Sequence, residues 1–188
     1  MSGRVAIVTG AGPGVGAAVS RALSESGASV VLAARGGRAV AGLAGDIIAA
    51  GGHAVAVSMD VTDPVSMQRL VEQTLGAFGR LDAAFNHLQA QEVSVAMRHQ
   101  IPAMRRANGG HIINLASGAG RQAAVIELTR TTALNVADPG LRINAIAAEA
   151  HASAEEIGEA VVWLCSDYSP LVTGATLYLP RDPMSPGQ

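Results

Sequence analysis

The stretch Thr9-Gly10-Ala11-Gly12-Pro13-Gly14-Val15-Gly16 carries the most specific chemistry in the chain. It follows a short apolar run and opens a helical pattern, the setting in which a glycine-rich loop gains meaning as a phosphate cradle. Glycine is needed there because positive φ angles and close backbone approach let main-chain N–H groups face a pyrophosphate. Gly10, Gly12, Gly14 and Gly16 are therefore candidate dinucleotide contacts. The next apolar run ends Ala33-Ala34-Arg35. An acidic side chain at that position would accept hydrogen bonds from a ribose 2′-hydroxyl. Arg35 suits a 2′-phosphate instead, which favours NADP(H) over NAD.

Four further side chains could do acid–base work. In an open parallel sheet, ligands sit beyond the carboxyl ends of the strands. That rule selects His87, Ser117, Glu149 and His151, each of which follows or ends an apolar run. Imidazole titrates near neutrality, so His87 or His151 could act as a general acid. Ser117 could orient a carbonyl oxygen, and Glu149 could orient His151 or act as a base. His111 stands at the opposite end of its strand and reads as structural, while His53 and His99 read as surface residues. No group of residues has metal-ligand spacing, so no metal is expected.

The elements that must position these groups alternate along the chain. Strand-like segments are Arg4–Thr9, Ser29–Ala34, His53–Met59, Leu81–Phe85, Gly110–Leu115, Leu141–Ile146 and Thr176–Leu179. Helical patterns run over Val15–Ser26, Arg38–Ala50, Pro64–Phe78, Val93–Arg106, Ala123–Ala137 and Ala154–Cys165. Strands separated by helices predict a doubly wound, Rossmann-like parallel sheet covered on both faces. One domain is expected over residues 1–180, with 181–188 as a flexible tail.

Composition narrows the function. The net charge is −2 without a long basic run, which excludes phosphate-driven nucleic-acid binding. No apolar run reaches membrane-spanning length and no secretory signal is seen, so a cytoplasmic protein away from membranes is expected. The single Cys165 lies in an apolar helical pattern and reads as a buried structural thiol. All 13 basic residues are Arg, so Schiff-base chemistry and a lysine proton relay are closed off.

Together these motifs resemble those of the short-chain dehydrogenase/reductase family. The Thr9–Gly16 loop resembles its phosphate loop, and Asp60-Val61 resembles its adenine-contacting pair. Leu81-Asp82-Ala83-Ala84-Phe85-Asn86 resembles the approach to its Asn-Asn-Ala-Gly turn, which makes Asn86 a candidate cofactor residue. Gly110–Ser117 resembles the strand that delivers the family's catalytic Ser, at the place of Ser117. Leu141–Ile146, Leu164–Asp167 and Val172–Ala175 resemble the family's sixth strand, closing helix and closing loop. The resemblance also implies a homo-oligomer through helices 93–106 and 123–137.

The departures concern chemistry. His87-Leu88-Gln89 replaces the family turn, and a stretch before helix Val93–Arg106 is missing against the pattern. The segment that would carry the family's Tyr-x-x-x-Lys pair is shortened to Gly118-Ala119-Gly120, and Gln122 stands where the Lys would align. The only tyrosines are Tyr168 and Tyr178, and the substrate-covering loop after Ile146 is nearly absent. The retained residues serve the adenosine half of a cofactor, so NADP(H) is expected to be held mainly by that half. Three functions follow as expectations. One is a small-metabolite isomerase, dehydratase or cyclase working in an open cleft. Another is an NADP-dependent carbonyl reductase with His87 or His151 as substitute acid. The last is an inactive nucleotide-binding sensor or partner subunit for small-molecule metabolism.

Overall fold

The computed structural model describes residues 1–118, 122–149, 152–166, 168–169 and 173–179. His151 and the expected tail 181–188 lie outside the described residues. The strands are β1 (Val5–Thr9), β2 (Ser29–Ala34), β3 (His53–Ser58), β4 (Ala83–Asn86), β5 (Gly110–Ser117), β6 (Leu141–Ala148) and β7 (Thr176–Leu179). Between them run α1 (Val15–Glu25), α2 (Gly37–Ala49), α3 (Pro64–Phe78), α4 (Ala90–Arg106), α5 (Gln122–Val136) and α6 (Ala154–Leu164). The strands form one sheet in the order β3-β2-β1-β4-β5-β6-β7, and every pairing is parallel. This is the expected single-domain Rossmann-like α/β fold.

Burial follows the two-residue period of a strand. Ala6, Val8, Val30, Leu32, Phe85, Ile113 and Leu115 join one core with α1, α2 and α6. Their neighbours Ile7, Val31, Ala33, Ala84 and Ile112 join a second core with α3, α4 and α5. Both faces of the inner strands are thus dry, which is why they read as continuous apolar runs, while the edge strand β3 stays largely exposed. Strand order reverses between β1 and β4, and a crevice opens at that point beyond the carboxyl ends.

Several boundaries differ from the sequence pattern. β4 extends to Asn86, β5 to Ser117 and β6 to Ala148. The ladder continues from Leu115↔Ile146 to Ser117↔Ala148, carrying the strands past their last large apolar residue. α4 starts at Ala90 because the Glu92 carboxylate accepts a hydrogen bond from Gln89 N at 2.9 Å, which fixes the helix start ahead of the apolar stripe. Pro102 sits inside α4 without ending it.

Candidate active site

The loop after β1 is built by two different uses of glycine. Gly10 has φ +70°, and a Cβ there would lie 2.8 Å from the His87 carbonyl oxygen. The phosphate loop is thereby pressed against the end of β4. A Cβ on Gly16 would lie 2.1 Å from the Gly10 carbonyl oxygen, so Gly16 allows α1 to pack on the loop. Gly12 has nothing within 4 Å of its Cβ position and faces open space. Gly14, with φ +85°, starts α1, whose first-turn N–H groups lack intrahelical partners.

A cavity of about 350 Å³ opens beside this loop. Gly10, Gly12, Ala34, Arg35 and Val61 line one part; His87, Leu88, Gln89, Glu92, Ser117 and Val125 line the other. Phosphate loop, strand-end arginine, histidine and serine therefore share one cleft. Arg35 is exposed. Its guanidinium makes no hydrogen bond or ion pair among the described residues, though its charge acts on Asp60.

His87 is half-buried, and burial pushes its imidazole below the usual histidine value. No nearby charge offsets that cost, so the ring is neutral at neutral pH. A neutral ring is poised to take a proton rather than give one, which alters the general-acid role expected from sequence. Ser117 ends β5 half-exposed at the cavity wall.

The other candidates are placed differently. Asn86 is fully buried and does not line the cavity; its side chain bonds Gln100, Asn114 and Thr9. Asp60 is exposed outside the lining, where Thr62 N and Thr62 Oγ1 both donate to its Oδ1. Those two bonds lead the causes that hold its carboxyl below the usual range. Glu149 follows β6 exposed to solvent and is absent from the cavity lining. Leu88, Gln89, Glu92 and Val125 line the cavity although sequence reading did not single them out as site residues. The strand-end rule that picked His87 would have found the first two, had it been extended past a single residue.

Two expectations concern groups away from the cleft. His111 is buried near the start of β5, where Nδ1 donates to the Leu164 carbonyl at 2.9 Å and Nε2 accepts from Arg142 at 2.7 Å. It is a structural residue. Cys165 is buried, and burial pushes its thiol up to about 12, which leaves it unreactive. Neither tyrosine reaches the cleft: Tyr168 is 89% and Tyr178 65% exposed.

Comparison with known proteins identifies the class. A short chain dehydrogenase family model matches residues 4–88. The chain is 32% identical to an A-factor type gamma-butyrolactone 1′-reductase (1S-forming) of Streptomyces virginiae, over 94% of each chain. It is 28% identical to a cyclohexanol dehydrogenase of Acinetobacter sp., over 92% of this chain and 91% of that one. Hydroxysteroid dehydrogenase from Escherichia coli superposes with a TM-score of 0.87 at 23% identity, over 95% of this chain and 94% of that one. The chain belongs to the short-chain dehydrogenase family, whose members bind nicotinamide cofactors. The match to the reductase runs over 241 positions against 188 residues here, so dozens of positions face gaps in this chain.

These relatives overturn the expectation of an isomerase, dehydratase or cyclase, because they are named as dehydrogenases and reductases. That expectation rested on the absence of Lys and of a well-placed Tyr. Losing a proton donor bears on how fast a hydride reaction proceeds, and does not convert it into another reaction class. No helix among the described residues is long and apolar enough to cross a membrane. No group of three or more potential metal-ligating side chains occurs among them.

Proposed function

We propose that this protein is an NADP-dependent oxidoreductase acting at an alcohol or carbonyl carbon of a small molecule. One observation carries the reading: Gly10, Gly12 and Arg35 share a cavity with His87 and Ser117. The residues fit the dinucleotide, since Gly12 leaves open space where phosphates must lie and the Arg35 guanidinium makes no hydrogen bond or salt bridge among the described residues. When bound, the nicotinamide ring supplies or accepts the hydride. Arg35 would hold the 2′-phosphate, and the loop with the α1 N-terminus the pyrophosphate. Val61 would cover the adenine. These residues all serve the adenosine half, so that half dominates affinity.

Ser117 Oγ donates a hydrogen bond to the substrate oxygen. In the oxidative direction the neutral His87 imidazole takes the hydroxyl proton from the alcohol oxygen. In reduction the same ring must first be protonated, which its burial opposes. Oxidation is therefore favoured at neutral pH and reduction gains as pH falls. A second reading, a nucleotide-binding subunit without turnover, is favoured by the absence of lysine and the exposure of both tyrosines.

The test is calorimetric titration with NADPH, with 2′,5′-ADP as competitor, followed by a screen of secondary alcohols with NADP⁺. Micromolar NADPH binding, 2′,5′-ADP of comparable affinity and alcohol oxidation are expected. Binding without turnover across the screen would select the second reading. No binding at millimolar cofactor would overturn both.

A further inference from the structure

Behind the cavity lies a chain of side-chain amides and hydroxyls with no access to water. Asn86, Gln100, Asn114 and Thr9 are each 0% exposed, and Thr129 is 1%. Asn86 and Gln100 form a reciprocal pair: Asn86 Nδ2 donates to Gln100 Oε1 at 3.0 Å, and Gln100 Nε2 to Asn86 Oδ1 at 2.9 Å. Asn86 Nδ2 also donates to Asn114 Oδ1 at 2.9 Å. Asn114 Nδ2 continues to Thr129 Oγ1 at 3.0 Å, and Thr129 donates to the Val125 carbonyl at 2.6 Å. Thr9 Oγ1 approaches Asn86 Oδ1 at 3.3 Å and the Phe85 carbonyl at 3.1 Å.

Each member belongs to an element that reaches the cavity wall. Thr9 precedes Gly10, Asn86 precedes His87, Asn114 lies three residues before Ser117, and Thr129 is bonded to Val125 itself. Gln100 brings in α4, the helix that carries Glu92 to the same wall. Five elements that face the cleft are thus tied to one another by directed bonds in a dry environment. Partly satisfied networks of this kind are costly, and fully satisfied ones fix a single arrangement. None of these side-chain atoms lacks a partner.

We infer that Gln100 is a positioning residue: its carboxamide locks Asn86 from the helix side and so holds His87 against the phosphate loop. It touches neither the cavity nor any group in it. The inference rests on the oxidoreductase reading for its purpose, and on hydrogen-bond geometry for its substance. The charged groups that share the cavity with His87 are Arg35, after β2, and Glu92, on α4. The β1 loop, β5 and α5 contribute none to that lining among the described residues.

Gln100→Met keeps the volume and removes the amide, leaving one Asn86 N–H unmet and its Oδ1 with only the 3.3 Å contact from Thr9. Leu70→Ala is the control, because it weakens the core at α3 without touching the network. The readout is the titration of the His87 ring in the ligand-free protein by NMR, with NADPH affinity measured alongside. In Gln100→Met the His87 midpoint should rise by about half a unit toward the ordinary histidine value. NADPH affinity should fall about tenfold, as expected when a site loses its supporting bonds. Leu70→Ala, at a similar loss of melting temperature, should leave the His87 midpoint in place. An unmoved midpoint in Gln100→Met, or an equal movement in Leu70→Ala, overturns the inference. If Gln100→Met does not fold, Thr129→Val opens the far end of the same network and is judged by the same criterion. A displaced His87 in a protein whose wild type oxidises no alcohol would support the network and count against the oxidoreductase reading.

Discussion

Gly12 and Gly16 belong to one loop, yet the surroundings of their absent Cβ atoms separate binding from folding. At Gly16 an added methyl would lie 2.1 Å from the Gly10 carbonyl and 2.8 Å from Ala11 Cα, both backbone atoms that cannot yield without moving the loop. Gly16→Ala is expected to cost about 1–3 kcal/mol, the usual range for overpacking, and to lose NADPH binding with it. At Gly12 the same methyl meets nothing within 4 Å and needs no positive φ. Gly12→Ala should therefore melt like wild type while its methyl intrudes on the space proposed for the phosphates. Thermal melts with and without NADPH read both effects together. Unchanged ligand-induced stabilisation in Gly12→Ala would remove this loop as the phosphate seat.

At the scale of elements, α6 lies close against α1, the helix that follows the phosphate loop. Gly158 permits the approach: a Cβ there would meet Ala22 Cβ at 3.3 Å and the Ala18 carbonyl at 3.4 Å. A longer side chain has no room, so Gly158→Leu should push the helices apart and cost about 1–3 kcal/mol in chemical denaturation. A loss well below that would mean that the two helices slide freely. The elements themselves were largely legible in the sequence, because apolar runs between glycine breaks report burial on both sheet faces. Their ends were less so. β5 and β6 gain their last residues from each other through the ladder to Ser117↔Ala148, and no local pattern encodes a partner. The phosphate loop was legible because a positive φ is a local demand that glycine meets. The amide network was not. Gln100 sits among helix residues of mixed polarity, and its partner is 14 residues away. Asn114, a polar residue inside the apolar run Ile112–Leu115, was the one available signal.

For the whole molecule, the buried ring of His87 couples stability to pH, and the sign follows from proton counting. Burial lowers its folded-state pKa below the ordinary 6.5. Between the two values the unfolded chain holds more protons, so unfolding stability rises with pH across that window. Fully present above about 6.5, the contribution is lost as pH falls through the window; one proton limits the slope to about 1.4 kcal/mol per pH unit. The carboxylates act elsewhere. Hydrogen bonds from Thr62 hold Asp60 low, and the Ser66 hydroxyl with neighbouring backbone N–H groups does the same for Asp63. Arg130 and Arg105 lower Glu127 and Asp138 in the same direction. Their contributions are present above the ordinary values of 3.8 and 4.5 and vanish only in stronger acid. Melting temperature measured from pH 7.5 down to 5 should therefore fall in wild type before any carboxylate titrates. His87→Asn removes the ring but leaves the backbone carbonyl that packs on Gly10, so its profile should be flatter over the same interval. Parallel curves for the two proteins would mean that the His87 ring is as solvated in the folded state as in the unfolded chain. A ring so solvated would be protonated at ordinary histidine pH, and it would lose its advantage as the base that draws a proton from an alcohol.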